Sequence, residues 1–190
     1  MVGLIRFQVK LPYTALREHK MPAGTTYEPI ATQTISTSVT TLTFSSIPST
    51  YTDLVVVVYG GTTSAPDNLW LRFNSDSGSN YSFTELVGTG SAASSSGYAN
   101  FTVAKLSSTI GGGTTVGQSY IANIMNYCNT TTFKTMINRA NQNDNSYPGV
   151  AAYTNLWRNT AAINTVLLGR DGAGNLAIGT VMSLYGIKAA

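Results

Sequence analysis

Residues Leu54–Tyr59 have the sequence LVVVVY, an unbroken run of apolar and mostly β-branched side chains. Side chains of this kind fit the pleated surface of a sheet better than they fit a helix. A short apolar run without alternation is typical of a strand that is covered on both of its faces. The run therefore predicts a central strand, and the flanking sequence has to supply the strands that pair with it.

Short strand-like runs follow one another at intervals of roughly twelve residues, and turn-forming residues close each of them. Several runs alternate clearly, as in LWLRF, where Leu69, Leu71 and Phe73 share one face. We therefore predict an all-β fold, a single jelly-roll-like antiparallel β-sandwich with an extended N-terminal arm. The predicted strands are 30–37, 39–44, 53–59, 68–73, 82–87, 100–106, 119–127, 132–139, 150–157, 161–168 and 177–185.

The segments between these runs are rich in Gly, Ser, Asn and Asp, which are the residues that close tight turns. We expect them to form the tips of hairpins. The longest serine-rich example is GTGSAASSSG at 88–97, which carries no charge and no large apolar side chain. The predicted hairpin tips are 75–80, 88–97, 109–117, 141–146 and 170–175.

The first twenty residues differ from the rest of the chain. In GLIRFQVKL, residues 3–11, apolar and polar residues alternate with the period of a strand that has one apolar and one basic face. We divide the chain into an extended basic arm and linker at 1–24 and a β-sandwich domain at 25–190. The apolar face of the arm has to dock on this domain or on another subunit. The candidate interface residues are Ile5, Arg6, Phe7, Val9, Lys10 and Leu11.

Charge is concentrated in that arm. Residues 1–20 hold four cations and one anion, whereas the remaining residues hold seven of each. A nucleic-acid-binding domain would carry a basic patch on its folded body. We therefore expect no nucleic-acid partner. We also expect no membrane partner, because no stretch approaches the length of an apolar membrane span.

The residues that catalysis most often uses are scarce. The single histidine, His19, lies in the arm, and the single cysteine, Cys128, excludes both an internal disulfide and a multi-cysteine metal site. Seven carboxylates lie after the arm, and two of them could in principle form a glycosidase pair. Each lies at a strand edge or a turn, where acidic residues commonly act as caps. We expect no enzymatic activity, no catalytic residues and no cofactor.

The loop NSDSGSN at 74–80 resembles a calcium loop superficially. Asp76 is its one early carboxylate, and Glu85 stands twelve positions into the loop. The glycine is displaced from the position that an EF-hand requires, and the predicted flanks are strands rather than helices. We expect a hairpin turn here and no metal site.

Four phrases of the chain resemble the small β-sandwich virion proteins of tailed bacteriophages, in particular of phages that infect cyanobacteria. They are TYEPIATQTIS at 26–36, TFSSIPSTYTDLVVVV at 43–58, LRFNSDSGSNYS at 71–82 and MSLYGIKAA at 182–190. The resemblance covers most of the chain after the arm. It implies a virion structural protein that is assembled in the host cytoplasm, and it implies no catalytic residue.

Two functions remain open under that resemblance. The first is a capsid decoration, or cement, subunit whose arm docks on the major capsid protein, most simply as a homotrimer. The second is a tail-fibre or receptor-binding subunit that contacts host surface glycans through its loops or aromatic side chains. The first is favoured because the chain contains no shaft-like repeat or coiled coil, and its predicted loops are poor in charged and aromatic residues.

Overall fold

A computed structural model describes residues 26–63, 67–107, 118–142 and 149–188 of the chain. Twelve strands account for most of this part, and it contains no helix, so no helix long and apolar enough to cross a membrane is found in it. The strands are β1 (Tyr27–Thr34), β2 (Leu42–Phe44), β3 (Asp53–Gly60), β4 (Leu69–Phe73), β5 (Tyr81–Gly88), β6 (Ala93–Phe101), β7 (Ala104–Lys105), β8 (Gln118–Met125), β9 (Lys134–Gln142), β10 (Gly149–Trp157), β11 (Val166–Arg170) and β12 (Val181–Ile187).

The strands form two antiparallel sheets. The large sheet has eight strands in the order β1-β12-β3-β8-β9-β10-β5-β6, and the small sheet has four in the order β2-β11-β4-β7. Every pairing between neighbouring strands is antiparallel. The all-β sandwich predicted from the sequence is therefore confirmed.

Four of the pairings are nested along the chain. β1 pairs with β12, β2 with β11, β3 with β8, and β4 with β7. The pairs alternate between the large and the small sheet. The remaining strands, β5, β6, β9 and β10, lie together at one side of the large sheet, where they extend it beyond β8.

The core lies between the two sheets. Leu54, Val56 and Val58 of β3 are fully buried and face Leu69 and Leu71 of the small sheet across one continuous apolar cluster. β3 lies between β12 and β8, as the LVVVVY run predicts, and Val55 on its opposite face is also buried. This strand is thus covered on both faces over much of its length.

One predicted loop is wrong. Residues Ala93–Phe101 were expected to be in part a hairpin tip, but they form β6, which pairs with β5 at the edge of the large sheet. Eight of its nine residues are exposed, so no apolar pattern marks it in the sequence. The strand forms because the backbone of β5 offers it hydrogen bonds, and the turn itself is confined to residues near Gly90, which has a positive φ.

Several predicted boundaries also differ. The run at 161–168 becomes a strand only from Val166, because Asn74 binds the backbone of Asn164 and Thr165 and holds residues before it in a loop. The run at 100–106 is split between the end of β6 and the two-residue strand β7. The arm and linker at 1–24 lie outside the described residues, and their extended conformation stays a prediction.

Candidate interaction surface

The carboxylates that the sequence offered as possible catalytic groups form hydrogen bonds and ion pairs with other residues of the domain. Asp67 forms an ion pair with Arg170 of β11, and both side chains are almost fully buried. The same carboxylate accepts hydrogen bonds from the backbone N–H groups of Asn68 and Gly172, at 2.8 Å and 3.2 Å. Asp67 thus fixes the start of β4 against the end of β11, and its oxygens are occupied.

A second ion pair lies beside the first. The ammonium group of Lys105 in β7 contacts the carboxylate of Asp171, which also accepts a hydrogen bond from the Asn68 side chain at 3.2 Å. Lys105 is itself buried and lies near Glu85 of β5. Burial raises the pKa of Glu85, and the positive charge of Lys105 opposes that rise. This cluster connects the edge of the small sheet to the large sheet.

The loop that resembles a calcium site is closed by protein donors. The Asp76 carboxylate accepts hydrogen bonds from the Trp157 indole N–H at 2.7 Å, from the Asn80 amide at 2.9 Å and from the Gly78 backbone N–H at 2.9 Å. Partial burial raises the pKa of Asp76, but these hydrogen bonds together hold it below its usual value. Within the described residues, no group of three or more His, Cys, Asp or Glu side chains converges.

The remaining described carboxylates also have partners. Asp53 accepts the backbone N–H of Asn126 at 2.6 Å, and Glu28 pairs with Lys188 at 2.8 Å. Asp144, the seventh carboxylate considered from the sequence, lies outside the described residues. In the described part of the chain, the acidic side chains therefore serve to join strands and close turns.

Along β8, β9, β10 and β5, the described part of the chain leaves the face of the large sheet that points away from the small sheet largely open. Along these strands, alternate side chains such as Tyr120, Ala140 and Tyr153 are buried toward the small sheet, and the others point away from it. We call the outward surface the outer face. Its apolar members are Leu86, Ile121, Met125, Ile137, Val150 and Ala152.

Strand register brings these side chains together. Leu86 lies opposite Ala152, Ala152 opposite Arg139, and Arg139 opposite Ile121, so one row crosses four strands. The neighbouring row places Val150 opposite Asn141. Large side chains here are strongly exposed, with 61% of Leu86, 64% of Val150 and 51% of Ile137 accessible. Exposed apolar side chains grouped on one face are features of surfaces that contact other molecules.

The outer face is concave at one end. An apolar depression of about 610 Å³ lies over Leu86, Ile121, Val150 and Ala152, with Arg139 on its lining. Arg139 is the one charged side chain on this lining, and it makes no hydrogen bond or ion pair with another described residue. The depression therefore offers apolar contact and a single cationic group.

A second, more polar depression of about 390 Å³ lies farther along the same strands. Ser82, Thr84 and Thr154 contribute hydroxyl groups to it, and Tyr98 of β6 stands at its side with 45% of its surface exposed. The Tyr98 ring packs against Phe83 at 4.9 Å between centroids, and the Phe83 side chain is buried on the core face of the sheet, so the ring lies on the opposite side of the sheet from these hydroxyls. The hydroxyl groups of the depression could hydrogen-bond to a sugar.

The outer face was not predicted from the sequence. The candidate residues taken from the sequence, Ile5 to Leu11 of the arm, lie outside the described residues, so their docking stays a prediction. A signal for the outer face is present in β8, where Ile121 and Met125 alternate with the core residues Tyr120, Ala122 and Ile124. A strand with apolar side chains on both faces is stabilised when both faces pack against other protein groups.

Comparisons with known proteins identify no family for this chain. No protein-family model, no curated protein and no solved structure matches it.

Proposed function

We propose that this chain is a non-enzymatic structural protein of a bacteriophage virion, and specifically a capsid decoration subunit that docks on the major capsid protein through its N-terminal arm. The observation that carries the proposal is the open outer face on a domain in which Asp67, Asp76 and Asp171 are held by hydrogen bonds and ion pairs to other residues. A protein with these properties acts by burying surface against other proteins. The sequence resemblance to phage virion proteins supplies the setting.

The strand order supports the same proposal. Nested pairing of β1 with β12, β2 with β11, β3 with β8 and β4 with β7 is what results when one long antiparallel hairpin rolls into two sheets. We infer that the sandwich is a jelly roll into which β5-β6 and β9-β10 are inserted. Jelly rolls are frequent in viral capsid proteins, so this fold agrees with a place in a virion.

The sequence of the arm suits it to act as an anchor on the capsid protein. Its alternating apolar residues could add a strand to an open sheet edge of the capsid protein, while Arg6 and Lys10 meet acidic groups there. Strand addition forms main-chain hydrogen bonds with the edge of the partner's sheet, in addition to these side-chain contacts. The body of the protein would then project from the shell.

Binding to shells that lack the protein tests this anchor. Phe7→Asp places a charge on the predicted apolar face of the arm, and Gln8→Asp places the same charge one residue away on the opposite face. We expect Phe7→Asp to lose binding and Gln8→Asp to retain most of it. Equal binding by both variants and by the wild type would exclude arm docking.

A receptor-binding subunit is the second candidate, and the hydroxyl-lined depression favours it. If the protein contacts host glycans there, Thr84→Asp should reduce attachment of the purified protein to host cells. Thr43→Asp is a matched control, because Thr43 is an exposed threonine on β2 and does not line this depression. Equal attachment by the two variants would remove this candidate.

A further inference from the structure

We propose that the outer face is the contact surface between copies of this chain, and that a second copy packs its own outer face against it. This inference does not depend on capsid docking, which we assign to the arm. It follows from three properties of the outer face, namely its size, its low charge and its shape.

Size comes first. The four strands β8, β9, β10 and β5 contain eight or nine residues each. At about 3.4 Å per residue and about 4.8 Å between strands, the four strands span roughly 500 Å² in projection, and the adjoining edge strand β6 raises this to about 700 Å². Specific interfaces bury roughly 600 to 1,000 Å² on each partner. The open part of the large sheet is therefore large enough for a second copy.

The chemistry of the surface also fits a copy of itself. Leu86, Val150 and Ile137 are each more than half exposed, so covering them removes apolar surface from water. The polar outward residues on the same strands, such as Thr84 and Thr154, are neutral. A largely apolar face with a single cationic side chain offers little to a strongly charged partner, and its apolar residues can pack against those of an identical face.

The shape of a sheet allows this packing. Two sheet faces pack at about 10 Å with their strands roughly aligned, and their side chains interdigitate between them. A symmetric pair uses the same patch on both partners. The outer face is the surface of one continuous sheet, because β8, β9, β10 and β5 are hydrogen-bonded neighbours.

Arg139 does not prevent this contact. If the two-fold axis runs along β10, β9 of one copy lies over β5 of the other, because β10 is flanked by these two strands. Because both Arg139 side chains project into the space between the sheets, their charges lie about two strand spacings, or roughly 10 Å, apart. The repulsion between two like charges at that distance is less than half of that at a contact distance of about 4 Å. The apolar stem of each arginine can pack on Leu86 of the partner.

The test is the mass of the full-length chain in solution, measured by light scattering or sedimentation over a range of concentrations. The wild type should contain more than one copy. The double variant Leu86→Asp/Val150→Asp should weaken self-association by at least about 100-fold, because it places two charges in the centre of the contact. Both positions are strongly exposed, so the domain should still fold, and its thermal unfolding should confirm that.

Ile178→Asp is the matched control. Ile178 is 66% exposed but does not line the apolar depression. We expect this variant to associate as the wild type does. A monomeric wild type at high concentration would overturn the proposal, and so would an oligomer that the double variant leaves intact.

The result of this association test does not depend on whether the proposal of capsid docking is correct. Loss of shell binding in Phe7→Asp with the oligomer intact supports arm docking alone. A monomeric double variant that still binds shells supports the outer-face contact alone. The measured number of chains also separates this two-fold pair from the homotrimer expected from the sequence, since a trimer would contradict a symmetric pair of outer faces.

Discussion

The side-chain amide of Asn155 in β10 holds the backbone of Lys105 in β7 through two hydrogen bonds. It accepts the Lys105 N–H at 2.8 Å and donates to the Lys105 carbonyl at 3.1 Å, and Asn138 completes the contact by donating to the Leu106 carbonyl at 3.0 Å. Because β7 is an edge strand of the small sheet, its outward backbone groups would otherwise lack partners. The large sheet thus satisfies an edge of the small one with side chains instead of a strand.

Removing this amide should destabilise the domain. Asn155→Ala leaves a buried N–H and a buried carbonyl of Lys105 without partners, and it also removes the Asn155–Asn138 bond of 2.9 Å. We expect a loss of about 2 to 4 kcal/mol in the free energy of unfolding, measured by chemical denaturation. Thr154→Ala, one residue away and exposed, should change it by less than about 0.5 kcal/mol.

Acid should weaken the loop that Asp76 closes. The pKa of Asp76 is lowered in the folded state, so its contribution to stability is fully present above the unfolded value of about 4. That contribution is lost as the pH falls through the folded pKa. Asp76→Asn should therefore lower stability at neutral pH and flatten its decline below about pH 4. An unchanged acid profile in the variant would contradict this role.

Alkali should act on the core tyrosines. Burial raises the pKa of Tyr120 and of Tyr81, so both remain neutral in the folded protein at pH values where unfolded tyrosines ionise. The folded state then binds more protons than the unfolded state above about pH 10, and stability decreases from there as the pH rises. Tyrosinate absorbance should show these residues ionising together with unfolding. Early, reversible ionisation of all tyrosines in the folded protein would disagree with their burial.

Gly186 of β12 should not tolerate a larger side chain. A Cβ atom at this position would overlap the ring of Tyr51, which packs directly on the glycine. Gly186→Ala should cost about 1 to 3 kcal/mol, because the ring or the strand has to move. Gly97→Ala in β6 is the control, since its Cβ would meet only Thr84 Oγ1 at 3.6 Å. Thermal unfolding of the two variants measures the difference.

The elements that the sequence predicted well are those whose pattern reflects local burial. LVVVVY predicted a strand covered on both faces, and β3 lies between two neighbours with Val55 and Val56 both buried. The alternation of LWLRF placed Leu69, Leu71 and Phe73 in the core, where they lie. In these strands the side chains alone indicate which surface is covered.

The parts that the sequence did not predict depend on contacts between distant residues. β6 is a strand because β5 pairs with it, and its serine-rich sequence carries no pattern of burial. Lys134 is fully buried because the carbonyls of Thr132 and Thr160 accept its ammonium hydrogens at 2.8 Å and 3.1 Å. The outer face is visible only when the order of the strands is known, since its residues come from four separate segments.

The number of copies of this chain in each phage particle tests the proposed function most directly. It can be measured by quantitative mass spectrometry of purified virions against the major capsid protein. A decoration subunit should be present in numbers comparable to those of the capsid protein, as a lattice of contacts requires. A few copies per particle, or none, would contradict the account.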